Sequence, residues 1–279
     1  MIIEDSDIQL FVRTLKVSTG YDFSDYSEKS LKRRLAKALM DNRMDLMTLV
    51  SEIRKSAQFG EKIVKEITVN TTELFRDPIV WQSLRFKVLP LFKDLPTINI
   101  WHAGCSTGQE VYSMMILLNE LGILEKANIY GTDINTDVLE ASRKGTYKYR
   151  FNIGYLDNFD KVIKENPYNY EKFYDVPYSK YFEIDKIKDL YIMNKFLTEK
   201  PVFKKHDLVK DNNIFHKKFD IIMCRNVIIY FNYNLQNRVF NLFHENLYPN
   251  GCLVLGMHET ILGPYASSFE KKDMVYFKK

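Results

Sequence analysis

The sequence predicts an α/β protein, with a doubly wound sheet, an all-helical N-terminal domain and a small inserted subdomain. Residues 98–118 (INIWHAGCSTGQEVYSMMILL) read as a buried strand, a glycine-bearing turn and a helix, the first unit of a doubly wound domain. Residues 127–133 (ANIYGTD) form a second strand that ends in an acid, Asp133. Residues 219–224 (FDIIMC) are nearly all apolar, as expected for a central parallel strand buried on both faces.

The bulk properties limit the class of protein. The 279 residues suit one large or two modest domains, and a net charge of +4 is too balanced to demand a nucleic-acid partner. The three cysteines include no C-x-x-C pair, the N-terminal residues lack the charged-then-apolar pattern of a signal peptide, and no apolar run approaches the ~18 residues of a membrane span. We expect a cytoplasmic protein with free thiols, no metal site and no membrane insertion.

The N-terminal domain is expected to cover residues 1–70. Apolar residues at helical spacing predict three amphipathic helices between residues 4 and 66; the second has Leu31, Leu35, Ala38 and Leu39 on one face. This second helix, with the residues just beyond it, is strongly basic. Two interpretations stay open, a solvated helix face or a docking surface for an acidic partner. The basic residues are Lys29, Lys32, Arg33, Arg34, Lys37 and Arg43.

Residues 67–78 (ITVNTTELFRDP) precede a helix predicted at 80–91, and their composition is unusual for a linker. The segment could lay Asn70, Thr72 and Arg76 along one side of a site. Alternatively, it is an interdomain connector whose arginine makes a structural ion pair.

The C-terminal domain, residues 71–279, continues with a helix at 135–143 that ends at Gly145. Residues 147–200 break the pattern, and we expect an inserted subdomain at about 150–195 with short strands at 181–184 and 190–193. Its tyrosines could cover the main sheet or form a protein-contact surface. Strands at 201–208, 252–257 and 275–277 and a helix at 235–247 complete the domain.

A small-residue loop and polar strand ends indicate a nucleoside site. The spacing Gly104-Cys-Ser-Thr-Gly108 is not the G-x-G-x-x-G of dinucleotide binders, and on its own the loop could be a structural turn. Asp133, however, follows at about the offset at which an acid meets ribose hydroxyls. Arg225 and Asn226 follow directly after the strand at 219–224. The sequence has no phosphate-binding motif. S-adenosylmethionine (AdoMet), which carries no pyrophosphate, therefore fits the site better than NAD.

Five segments carry a resemblance to a known family. They resemble, in order, the chemotaxis receptor methyltransferase (CheR) family: ITVNTTELFRDP, WHAGCSTGQEVYS, YGTDINTDVLEASRKGTY, FDIIMCRNVIIYFN and LYPNGCLVLGMHET. The resemblance implies a Rossmann-like AdoMet-dependent methyltransferase sheet and methyl esterification of glutamate side chains on chemoreceptor helices. It gives the basic second helix a partner, the acidic cytoplasmic helices of receptors. We expect a monomer that is recruited to membrane receptor arrays.

The resemblance also implies roles for individual residues. Arg76 and Tyr230 would be catalytic, and both would orient the substrate carboxylate. Glu110 would contact the amino end of AdoMet, Asp133 the ribose, and Asp207 with Leu208 the adenine. The complete set that lines the AdoMet pocket would be Asn70, Thr72, Arg76, Gly104, Glu110, Asp133, Asp207, Leu208, Arg225 and Asn226.

The sequence departs from the family pattern at two places. The family loop reads G-E-E-P-Y, whereas this chain has Gly108-Gln109-Glu110-Val111-Tyr112. Affinity for AdoMet would weaken if its ammonium relied on position 109, and would change little if it relied on Glu110. The insertion also lacks the glycine-rich stretch with which some members grip a receptor tether peptide.

Two other functions remain alternatives at this point. One is a methyltransferase acting on nucleic acid or a small molecule. DNA amino-methyltransferases carry Asn/Asp-Pro-Pro-Tyr/Phe where this chain has Cys224-Arg225-Asn226-Val227, and this difference argues against an amide-like nitrogen as the target. The other is a non-catalytic AdoMet-binding regulatory relative, favoured by Gln109 alone.

Overall fold

A computed structural model describes residues 3–150 and 153–279. It divides into two compact units, Met1–Val69 with Val227–Val239, and Asn70–Asn226 with Phe240–Lys279. The first boundary falls one residue before the one expected from the sequence. The segment Val227–Val239, which the sequence assigned to the C-terminal domain, belongs to the first unit. None of the described helices combines the length and the apolar composition that a membrane span requires.

The first unit is helical, as predicted, but contains four N-terminal helices where the sequence suggested three. The second buries the four apolar residues predicted to form its inner face. The fourth begins after Ser56, whose hydroxyl accepts a hydrogen bond from the Phe59 amide, and it buries Ile63, Val64 and Ile67. These helices are α1 (Asp5–Thr19), α2 (Glu28–Asn42), α3 (Leu46–Lys55) and α4 (Ala57–Ile67).

The second unit is built on a seven-stranded sheet, whose first five strands in spatial order are parallel. The C-terminal strand, Val275–Lys278, runs antiparallel to both its neighbours. The strands are β1 (Ile98–Ala103), β2 (Ala127–Asp133), β6 (Val202–Lys205), β7 (Phe219–Cys224), β8 (Leu247–Leu255), β9 (Phe269–Lys272) and β10 (Val275–Lys278). Their order is β6-β2-β1-β7-β8-β10-β9. The predicted doubly wound class is confirmed; β9 was not predicted.

Helices precede the first strand and connect the later ones. A helical stretch before β1 contains a π-helical turn, Leu84–Val88, and a short 3-10 turn, Leu89–Phe92. The helices are α5 (Pro78–Ser83), α6 (Gln109–Glu120), α7 (Thr136–Lys144) and α10 (Tyr233–Asn246). Because β2 and β7 lie on opposite sides of β1, the chain reverses direction across the sheet there, and the crevice beyond the carboxyl ends of β1 and β7 is where such folds bind ligands.

The inserted subdomain has its own antiparallel sheet. Its strands are β3 (Thr146–Lys148), β4 (Phe182–Asp185) and β5 (Leu190–Met193), in the order β3-β5-β4. Two of them match the predicted strands, whereas β3 lies before the predicted start of the insertion at about residue 150. Helices α8 (Ile153–Phe159) and α9 (Lys195–Thr198) complete it. Tyr147, Tyr181 and Tyr191 are buried and Tyr170 is exposed, so the tyrosines only partly cover the core.

Candidate active site

The loop after β1 is shaped by left-handed backbone and by hydrogen bonds to β2. The amides of Gly104 and Cys105 both donate to the Thr132 carbonyl, at 2.8 Å each. Gly104, Ser106 and Gly108 all have positive φ angles. At Gly108 a Cβ would also lie 2.9 Å from the Ser142 hydroxyl oxygen, so this position favours glycine for two reasons. The loop delivers the chain to the first turn of α6.

Asp133 lies at the carboxyl end of β2, where the sequence placed it. Its two carboxylate oxygens accept hydrogen bonds from the amides of Ser106 and Asn135, each at 2.9 Å. Burial raises its pKa, although these amide bonds act in the opposite direction. Asp133 therefore braces the loop after β1 against the start of α7, and its predicted contact with a ribose stays a prediction.

Asp207 lies beside Asp133 because the His206 amide donates to the Asp133 carbonyl at 3.0 Å. The Asp207 carboxylate accepts from the Val209 amide at 2.9 Å, and burial raises its pKa. Leu208, between them in sequence, is half-buried. The structure thus brings three of the predicted cofactor residues to one end of β2 and β6.

Glu110, in the first turn of α6, belongs to a buried charged network. His102 Nδ1 lies 3.0 Å from Glu110 Oε1, and Arg225 Nη1 lies 3.5 Å from Glu110 Oε2. Burial alone would raise the pKa of Glu110, but the His102 hydrogen bond and the charges of Arg225 and Arg76 outweigh it, so its pKa is lowered. The carboxylate is therefore anionic at neutral pH and suits a cationic ligand group. No sequence pattern singled out His102.

Arg225 follows β7 as predicted, but its guanidinium is committed to protein groups. Nη2 donates to the Arg76 carbonyl at 2.9 Å and to Asp77 Oδ2 at 2.8 Å. The side chain is only 1% exposed, and its guanidinium lies 5.6 Å from the centre of the Trp81 ring. These contacts offset the cost of burying the charge through its two Nη atoms, while Nε has no hydrogen-bond partner in the described residues.

The Arg76 segment has a strained backbone. Both neighbours of Arg76, Phe75 (φ 51°) and Asp77 (φ 58°), are left-handed although neither is glycine. Each such residue costs about 1–3 kcal/mol and persists only where its surroundings fix it. Here the Phe75 amide donates to Ser113 Oγ at 2.8 Å, and the Trp81 indole donates to the Arg76 carbonyl at 2.9 Å.

The Arg76 side chain itself is half-buried. Within residues 3–150 and 153–279, it forms no ion pair or side-chain hydrogen bond. Its charge nevertheless lowers the pKa of Glu110, which places it in the same electrostatic neighbourhood. The alternative of a connector with a structural ion pair at Arg76 is therefore not supported; the structural ion pair in this region belongs to Arg225 and Asp77.

Helix α8 lies against the same segment, and the sequence analysis singled out none of the residues that this helix places there. Asn158 Nδ2 donates to the Leu74 carbonyl at 3.4 Å, and Phe159 packs edge-on against Phe75 at 5.9 Å between ring centres. Tyr155 shares this helix face because it precedes them by three and four residues. Burial and the charge of Glu73 raise the Tyr155 pKa, and the Arg76 charge acts against them.

Asn226 has a left-handed backbone, at φ 59°, and is fixed by a second residue that the sequence did not single out. Glu259 Oε2 accepts hydrogen bonds from the amides of Asn226 and Gly256, each at 2.7 Å. A Cβ at Gly256 would lie 2.7 Å from that same oxygen, so the loop after β8 closes tightly on this carboxylate. The polar run MHET after β8 was the available signal.

Asn70, Thr72 and Tyr230 are the remaining predicted residues. Asn70 opens the second unit and Thr72 follows it, both half-buried. Tyr230 lies in the first unit, on a 3-10 turn (Ile228–Tyr230), and its carbonyl accepts from the Ser27 amide at 2.7 Å. Its catalytic role stays a prediction. The thiols of Cys105, Cys224 and Cys252 are buried and free, and burial raises their pKa values.

The residues present fit AdoMet. That molecule offers hydrogen-bond donors at its ammonium, its ribose hydroxyls and its adenine amine, and the site offers the carboxylates of Glu110, Asp133 and Asp207. The Ser106 hydroxyl is buried beside Asp133 with no hydrogen-bond partner in the described residues. Glu110 would hold the ammonium and Asp133 the ribose.

Comparison with known proteins agrees with this geometry. The family model described as "CheR methyltransferase, SAM binding domain" matches residues 70–159 and 162–276, and "CheR methyltransferase, all-alpha domain" matches residues 6–68. The chain is 35% identical over 270 residues to the "putative methyltransferase Cher3" of Pseudomonas putida, covering 95% of this chain and 93% of that protein. It is 28% identical to a chemotaxis protein methyltransferase of Borreliella burgdorferi, covering 94% and 90% respectively. The chain therefore belongs to the CheR methyltransferase family, and its cofactor is S-adenosylmethionine.

Proposed function

We propose that this protein methylates glutamate side chains of chemoreceptors and forms methyl esters. The observation that carries the proposal is the Arg76 side chain, a half-buried cation on a fixed backbone, which pairs with no acid in the described residues and lies in the electrostatic neighbourhood of Glu110. An arginine of this kind suits a carboxylate substrate, which it can hold through two parallel hydrogen bonds. The chemotaxis methyltransferases among the relatives support the same substrate class.

The chemistry needs little from the protein beyond orientation. When bound, AdoMet would supply an electrophilic methyl group from its sulfonium sulfur, and S-adenosyl-L-homocysteine would be the leaving product. A glutamate carboxylate has a pKa near ~4.3, so it is already a nucleophile at neutral pH and no general base is required. Arg76 would hold the carboxylate in line with the methyl carbon, and such orientation can supply up to about 7–11 kcal/mol. Because too strong a clamp would blunt the nucleophile, we assign Arg76 and Tyr230 orientation rather than activation.

Helix α2 is proposed to dock the receptor. Lys32 pairs with Asp5 and Glu28, and Lys37 pairs with Asp41, so those charges are partly neutralised. Lys29 and Arg33 are exposed one turn apart, and neither forms an ion pair in the described residues. A narrower basic stripe than the sequence suggested therefore remains for an acidic receptor helix, and binding there would recruit the protein to receptor arrays.

The direct test is incubation with labelled AdoMet and membranes that contain the cognate receptors. We expect label on the receptor that is released by mild base, as methyl esters are. Receptors whose acceptor glutamates are replaced by glutamine serve as the matched control and should take up no label. Base-stable label, or label in RNA or DNA, would overturn the proposal.

A further inference from the structure

We propose that Arg225 is a positioning residue, whose buried guanidinium holds the Arg76 carbonyl and the Asp77 carboxylate and so presents the Arg76 side chain to the substrate. The inference rests on the proposed role of Arg76. It replaces the direct cofactor contact expected of the Arg225 side chain with an action through another residue. Two of its hydrogen bonds, at 2.9 and 2.8 Å, end on residues 76 and 77.

The backbone there needs such a support. Arg76 is flanked on both sides by left-handed, non-glycine residues, and Asp77 also precedes a proline, which disfavours helical backbone. The Arg76 carbonyl receives two donors, the Trp81 indole and Arg225 Nη2. Of these two, only Arg225 also reaches the Asp77 carboxylate, so it fixes a carbonyl and a side chain on consecutive residues.

The geometry requires an arginine. A planar guanidinium can donate from Nη2 to residues 76 and 77 while Nη1 faces Glu110, whereas a lysine ammonium is a point donor on a flexible stem. The Nη1–Glu110 separation is 3.5 Å, at the long limit for a hydrogen bond, so the guanidinium is held more tightly to the Arg76 segment than to Glu110. Loss of the guanidinium should therefore disturb the Arg76 segment more than cofactor binding.

Arg225→Lys tests this, with three readouts. We expect the dissociation constant for AdoMet, from calorimetry, to change by less than about 3-fold, while kcat for receptor methylation falls by about 30–100-fold. Backbone amide exchange across residues 74–77 should become faster because the strained segment is released. Asp77→Asn, which removes the charged partner but keeps the side-chain shape, should loosen the same amides and lower kcat by about 10-fold.

A double-mutant cycle separates positioning from general structural support. If Arg225 acts through Arg76, then Arg225→Lys should lower kcat by less than about 3-fold in an Arg76→Ala background. A multiplied loss there, unchanged amide exchange, or AdoMet affinity that falls as far as kcat would each overturn the proposal. The affinity and exchange readouts need no methyl acceptor. Failure of the glutamate-ester proposal would therefore leave them decisive for Arg225.

Discussion

At the scale of single residues, the site is defined by which charges are paired and which are not. Arg225 is paired with Asp77 and lies near Glu110, whereas Arg76 forms no ion pair in the described part of the chain. The sequence analysis placed both arginines in the AdoMet pocket, but their side chains make different contacts in the structure. Arg225 is committed to protein groups, and we propose that Arg76 is left for a substrate.

Removal of the Arg76 guanidinium should abolish most of the activity without unfolding the protein. We expect Arg76→Ala to lower kcat by about 100-fold or more, because the carboxylate loses its oriented hydrogen bonds. Arg76→Lys keeps the charge but not the planar fork, so its loss should be smaller, about 10-fold. Initial rates with labelled AdoMet and receptor membranes measure both; near-normal turnover by Arg76→Ala would contradict the role.

The departure from the family at Gln109 is expected to be harmless for cofactor binding. Gln109 is buried, and its Oε1 accepts a hydrogen bond from the Thr107 hydroxyl at 2.6 Å, so it braces the loop. We expect Gln109→Glu to change the AdoMet dissociation constant by less than about 3-fold, and to lower the free energy of unfolding by about 1 kcal/mol because it buries a second acid beside Glu110.

Calorimetry and urea denaturation measure the two effects of Gln109→Glu. Thr107→Val is the control: it removes the hydrogen bond that Gln109→Glu keeps, and so separates the loss of that bond from the effect of the added charge. Binding more than about 10-fold tighter in Gln109→Glu would show instead that the AdoMet ammonium is recognised at position 109.

His206 should make folding stability depend on pH. Burial lowers its pKa, outweighing the Asn212 carbonyl and the charges of Asp211 and Asp207. Below about pH 6.5 the unfolded state then binds a proton that the folded state does not, so stability falls as pH drops, by at most ~1.4 kcal/mol per pH unit. His206→Gln should flatten this slope in urea denaturation between about pH 7.5 and 5.5; an equal slope would contradict it.

At the scale of elements, strand β2 has a glycine where the neighbouring strand β6 places a phenylalanine ring. Gly131 in β2 pairs in register with Phe203 in β6. A Cβ there would lie 2.6 Å from the Phe203 ring and 3.2 Å from Cys105 Sγ, so the glycine lets the phenylalanine cover the strand. The absence of a side chain at Gly131 therefore leaves room both for Cys105, in the loop after β1, and for Phe203, in the edge strand β6.

Gly131→Ala should be destabilising because the Phe203 ring must move. We expect the free energy of unfolding to fall by about 1–3 kcal/mol, the usual cost of overpacking a core. Gly154→Ala is the matched control: a Cβ at Gly154 meets nothing within 4 Å, and alanine favours the helix there. Urea denaturation measures both; equal stabilities would contradict the packing argument.

At the scale of the whole molecule, the two units divide the work that the proposed function requires. The helical unit carries the basic stripe on α2, and the sheet unit carries Glu110, Asp133 and Arg76. Charges on a docking surface act mainly on encounter and specificity, and salt screens them.

Charge reversal on α2 tests the docking surface. Arg33→Glu should raise KM for receptor substrate by about 3–10-fold and flatten its dependence on ionic strength, while kcat stays within about 2-fold. Arg54→Glu, an exposed reversal on α3 with the same change in net charge, is the control and should leave KM unchanged. An equal effect of both variants would return α2 to the solvated-face interpretation.

Much of the fold and part of the site could be predicted because their signals are local. The inner face of α2 follows from helical spacing, the buried strand β7 from its apolar run, and the place of Asp133 from the end of its strand. The AdoMet assignment came from the small-residue loop and the polar strand ends, the order of five motifs supported it, and the family match confirmed it. Hydrophobic periodicity and the residues at strand ends are set by neighbouring positions in the chain, so they can be identified from one sequence.

Only the tertiary structure decided what those residues do to one another. Arg225 and Asp77 lie 148 positions apart, and Asn226 and Glu259 lie 33 apart, so no spacing rule pairs them. The same holds for Val227–Val239, which joins the helical unit, and for β3, which joins the inserted sheet. Ion pairs, strained backbone and strand order depend on which distant segments meet, and that is a property of the folded chain.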